Sequence, residues 1–140
     1  MARASIELVS ALRTTADRLA AGAVYQWGHF GQCNCGHLVQ TVCRLDKATI
    51  HAWASARALD WGDLANEHCP ASGLPIDLAI EELAAIGLSP ADLVHLEQLD
   101  DPAVVAVLGR WPRRNVREDA IAYLRAWADL LEADLSALAA

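Results

Sequence analysis

The sequence contains one phenylalanine, no apolar run near the ~18 residues of a membrane span, and no stretch where β-branched and polar residues alternate. Each absence excludes something. Without a long apolar run there is no membrane-spanning helix. Without period-two alternation there is no half-buried strand. No internal repeat, low-complexity tract or linker breaks the chain, so the expectation is one domain over residues 1–140. The opening Met-Ala-Arg-Ala-Ser lacks the apolar core of a signal peptide, which predicts a cytoplasmic protein with reduced thiols.

What is present points to helix. The 140 residues are 54% hydrophobic and 21% charged, as in a globular chain. Leu and Ala outnumber Val and Ile. The net charge is −7, and all of it falls in residues 71–140, where five Lys/Arg face twelve Asp/Glu. That acidity argues against a nucleic-acid surface, which needs clustered cations. Arg110, Arg113, Arg114 and Arg117 form a local exception around a Trp-Pro turn, and they read as the solvated start of a helix.

The spacing predicts an all-α fold: a compact bundle with two long terminal helices, several short ones and two irregular Gly/Pro-containing loops. A first helix over 5–21 repeats Ile6, Val9, Leu12, Ala16 and Leu19. Shorter ones are expected over 35–45 with Asn34 as N-cap, over 47–58, over 75–86 closing at Gly87, over 90–99 and over 102–108. Asn115 to Glu118 has capping-box spacing for the last helix, whose stripe is Ile121, Leu124, Trp127, Leu131, Leu135 and Leu138. The long helices are expected to pack together. The short ones should then surround the irregular stretches 23–36 and 59–75.

Chemistry concentrates in His29-Phe-Gly-Gln-Cys33-Asn-Cys35-Gly-His37, with Cys43, His68 and Cys69 further along. Thiolate and imidazole are zinc ligands, and thiolates hold iron–sulfur clusters. A metal site drawn from Cys33, Cys35, Cys69 and one of His29, His37 or His68 is the first reading, zinc before iron–sulfur. Glu67 is placed to orient a ligating His68. Helical rise removes Cys43: eight residues beyond Cys35, it stands about 12 Å further along the axis. It reads instead as a small core residue. A disulfide between Cys33 and Cys35, one residue apart, would be strained. No Glu-x-x-His spacing suggests a di-iron bundle. His51 and His95 lie in helical patterns and read as ordinary surface or core residues.

A second reading makes Cys35 a nucleophile, since a helix N-terminus favours thiolate. The stretch Tyr25-Gln-Trp27-Gly28 … Cys35-Gly-His37-Leu38-Val39 resembles the nucleophile segment of the NlpC/P60 cysteine peptidases. That family runs Tyr-x-Trp-Gly, a loop, then Asp-Cys-Ser-Gly-Leu-Val at a helix start. The resemblance spans residues 25–42 and implies that Cys35 is the attacking thiol. A third reading is a metal-free interaction module whose partner is a second copy of the chain or another protein; the five tryptophans fit such a surface and a ligand pocket equally well.

Overall fold

A computed structural model of the chain describes residues 2–27, 33–43 and 75–139, without the side chains of 43, 75–79 and 139. The expected helix over 47–58, the loop 59–74, and His29, Phe30, His51, Trp53, Trp61, Glu67, His68 and Cys69 lie outside the described residues. The fold is all-α, with no strand among the described residues.

Six helices are described: α1 Ile6–Ala20, α2 Asn34–Cys43, α3 Pro75–Ala85, α4 Pro90–Gln98, α5 Pro102–Leu108 and α6 Arg117–Ala139. Their ends follow cap chemistry. Ser89 Oγ accepts the Asp92 N–H while the Asp92 carboxylate accepts the Ser89 N–H, a capping box at α4. Asp101 caps α5 through the Ala103 N–H. Proline at the first turn of each supplies a preset φ and no orphan donor.

Residues 2–5 tie the two halves of the chain together. Ser5 Oγ accepts the Leu8 N–H as the cap of α1 and donates to the Ile86 carbonyl at 2.6 Å. The Arg3 N–H donates to the Gly87 carbonyl at 2.9 Å. Gly87 has φ +118°, and a Cβ there would meet the Arg3 carbonyl oxygen at 2.1 Å, so this crossing needs glycine.

The long helices pack together as expected, and antiparallel. Arg13 on α1 pairs with Asp129 and Glu132 on α6, Asp17 with Arg125, and Arg117 donates to the Leu19 and Ala23 carbonyls past the end of α1. Leu8, Leu12, Ala16 and Leu19 meet Tyr123, Leu124, Trp127, Ala128 and Leu131 in the core. Two ends of the predicted stripes fail. Ile6 is 75% exposed and Leu138 79%. Val9, Leu12, Ala16 and Leu19 are buried as expected, and Leu8, Ala11 and Thr15 widen the inward face of α1. Asn115 is not a cap for α6 either. It sits at φ +60°, and its side-chain oxygen takes the Trp27 N–H, while the Val116 carbonyl accepts the first helical bond.

Candidate functional site

The start of α2 lies against α1 and the last turn of α4. Arg18 on α1 donates to the His37 carbonyl, the Thr41 hydroxyl and the Gln40 side-chain oxygen, which fixes how α2 lies. The Cys33 carbonyl accepts the His37 N–H, the first bond of the helix. Cys33 therefore occupies the cap position expected of Asn34. Its sulfur accepts the Gly36 N–H at 3.3 Å, the role a serine oxygen usually fills.

Asn34 is one residue inside and does something else. Its amide donates to the Leu96 and Glu97 carbonyls at 3.1 and 3.0 Å in the last turn of α4, where the Leu96 carbonyl also takes the Leu99 N–H. Its oxygen accepts from the Tyr25 hydroxyl at 2.7 Å. The Trp27 indole N–H also donates to the Glu97 carbonyl, at 2.7 Å. The Tyr25…Trp27 and Asn34…Cys35 elements of the motif are thus joined through the end of α4, across a gap of 62 residues or more.

Cys33 and Cys35 both face α4. The Cys35 N–H donates to the Glu97 carboxylate at 3.3 Å, and its thiol donates to the Leu93 carbonyl at 3.2 Å. The Cys33 thiol hydrogen-bonds the Glu97 carboxylate as well. Burial and then the Glu97 charge push the Cys33 thiol well above its ordinary range. Both cysteines are buried, and Glu97 is buried with them. Sequence reading missed Glu97. Only its position in the last turn of a helix signalled it, and that signal is shared by many surface glutamates.

His37 goes elsewhere. Two residues along a helix is a rotation of about 200°. Its ring leaves the side opposite Cys35, where Nε2 meets the Val24 carbonyl at 2.6 Å beside Tyr25. A carbonyl only accepts, so Nε2 carries the proton. Among the described residues no three His, Cys, Asp or Glu side chains converge closely enough to hold a metal ion. Cys43 ends α2 at the axial distance expected from Cys35, and its side chain lies outside the described set. His95 pairs with Asp100 at 2.7 Å, half-exposed at the end of α4, in line with an ordinary surface role.

The arginine run is more structured than a solvated face. The Asp119 carboxylate, 2% exposed, accepts from Arg110 at 2.8 Å, from Arg113 at 3.2 Å and from the Arg113 N–H at 2.7 Å. The Arg110 hydrogen bond outweighs burial and lowers the Asp119 pKa to about 2. Arg114 stacks on the Trp27 ring, 5.2 Å from its centroid. No helix is long and apolar enough to cross a membrane among the described residues. No protein-family model, curated protein or solved structure matches the chain.

Proposed function

We propose that this domain binds a metal ion through Cys33 and Cys35, zinc in the first place and an iron–sulfur cluster in the second. The observation that supports the reading is the placing of buried Cys33 and Cys35 two residues apart at the N-terminus of α2, with the Cys33 thiol against the Glu97 carboxylate. A helix N-terminus favours anionic ligands, and the Gly36 N–H is aimed at the Cys33 sulfur. Zinc takes four ligands. The described residues supply two thiols, so the set is completed by His68 and Cys69, with His29 as the alternative imidazole. His37 is a poor candidate, because its ring lies on the opposite side of α2.

Without a metal, burial and Glu97 keep the Cys33 thiol protonated. A bound cation would ionise it, so loading releases protons and weakens as pH falls. Thiolate ligation suits a reducing compartment, and we assign the protein to the cytoplasm.

The alternative reading, Cys35 as nucleophile, needs a thiol that reaches a substrate. Cys35 is 0% exposed and its S–H is held on the Leu93 carbonyl. That favours the metal reading over the catalytic one.

Elemental analysis of protein made with zinc and iron supplied and air excluded tests the proposal. The expected result is stoichiometric zinc, or iron with a visible thiolate band. Either metal should be lost in Cys33→Ser, Cys35→Ser and Cys69→Ser. Background levels of both metals in the wild type, or full loading of the Cys33→Ser/Cys35→Ser double variant, ends this reading.

A further inference from the structure

We propose that two copies of this chain associate by seating the Trp111 loop of one in the groove between α1 and α6 of the other. The loop is built to present its tryptophan. It leaves α5 at Gly109 with φ +72°, and Arg110 and Arg113 are both pinned to buried Asp119, on either side of Trp111. Trp111 itself is 69% exposed, and Val107 one turn earlier is 55% exposed. Trp and Arg are the side chains that most often dominate association energies, and a pinned loop loses little entropy on docking.

The groove has the complementary chemistry. Its volume is about 730 Å³, with Ile6, Val9 and Leu135 as the apolar lining and Arg13, Asp17 and Glu132 as charged lining. Asp129 adds a third carboxylate beside it, against the two cations Arg13 and Arg125. The loop offers three guanidiniums around a single buried carboxylate. The exposed ends of the two apolar stripes, Ile6 and Leu138, both lie at this end of the α1–α6 pair.

The loop cannot fill its own groove. It precedes Arg117 at the start of α6, while Glu132 and Leu135 lie 15 residues and more along that helix. At 1.5 Å per residue the separation exceeds about 20 Å. The contact is therefore between molecules, and joins different surfaces of the two copies.

Sedimentation velocity of the full chain, from about 1 µM to about 1 mM, reads the association over the range of weak to moderate affinities. The expected result is a concentration-dependent rise from monomer to dimer or larger. Two variants on exposed positions test the two surfaces. Trp111→Ala removes the knob. Ser136→Arg, placed in the groove near the C-terminus of α6, fills it and repels the incoming guanidiniums. Each alone should stay monomeric with an unchanged helical circular dichroism spectrum. An equal mixture should form a 1:1 dimer, because the Ser136→Arg chain still offers Trp111 and the Trp111→Ala chain still offers its groove. A wild type monomeric throughout, association untouched by either variant, or a mixture that stays monomeric would each overturn the proposal.

Discussion

The start of α2 and the turn between α5 and α6 are each organised by a buried carboxylate, and they differ in what that carboxylate holds. Among the described residues Glu97 takes a thiol and a backbone N–H, both neutral donors. Asp119 takes two guanidiniums and a backbone N–H. The consequence is electrostatic. Asp119 stays ionised down to about pH 2, whereas the charge on Glu97 pushes a neighbouring thiol upward. It also divides access. Cys33 and Cys35 are sealed in the core, while Trp111 and the guanidiniums of Arg110 and Arg113 face outward. Residue type sets what a segment can do, and burial sets what can reach it.

The largest effect is expected where the sealed region is broken. Asn34 bonds Tyr25, Leu96 and Glu97 from a position 1% exposed. Asn34→Ala strands the half-buried Tyr25 hydroxyl and removes both side-chain ties from α2 to α4, while the Leu96 carbonyl keeps the Leu99 N–H and the Glu97 carbonyl keeps the Trp27 indole. At roughly 1–3 kcal/mol for the stranded hydroxyl and about 0.5–1.5 kcal/mol for each of the two lost hydrogen bonds, urea unfolding should show a loss of about 3 kcal/mol. A loss below about 1 kcal/mol would mean that Asn34 does not tie α2 to α4.

The open region should fail with acid. The Asp119 pKa is lowered from 3.8 to about 2 on folding, so its contribution is complete above pH 3.8 and fades as pH falls toward 2. That shift corresponds to about 2 kcal/mol. Asp119→Asn should therefore be less stable than wild type by about that amount at neutral pH, and the two unfolding curves should converge near pH 2. A difference that does not change with pH would remove the charge from the explanation.

How much of this was legible in the sequence depended on range. Helix ends set within a few residues, by the side-chain caps of Ser89 and Asp101 and by the positive φ of Gly87, were readable because their causes are local. Asn34 and Asn115 were misread as caps for a physical reason. Both have the right side chain, and in each case a partner far along the chain claims it: Leu96 and Glu97 for one, Trp27 for the other. The exposure of Ile6 and Leu138 was hidden likewise, since periodicity marks a stripe but not which of its members the partner helix covers. The candidate site was half visible. Cys33 and Cys35 were found from their spacing, but Glu97 comes from packing across about 60 residues, and the opposite placement of His37 follows only once the first turn of α2 is fixed.

A smaller effect separates capping from metal binding. Serine in place of Cys33 keeps an acceptor for the Gly36 N–H and a donor for Glu97. Thermal unfolding of metal-free Cys33→Ser should stay within about 1 kcal/mol of wild type. Its metal content should nevertheless collapse. If stability and metal fall together, Cys33 is a packing residue and the sealed region has no separable function.

The smallest effect belongs to Trp111. An exposed side chain away from caps and cores changes stability by roughly 0.5 kcal/mol or less. At concentrations where the chain is monomeric, Trp111→Ala should unfold with wild type, because Asp119 and not Trp111 holds the loop. A clear destabilisation of the monomer would place Trp111 among the packing residues of its own chain, and the contrast between a sealed region and an open one would close.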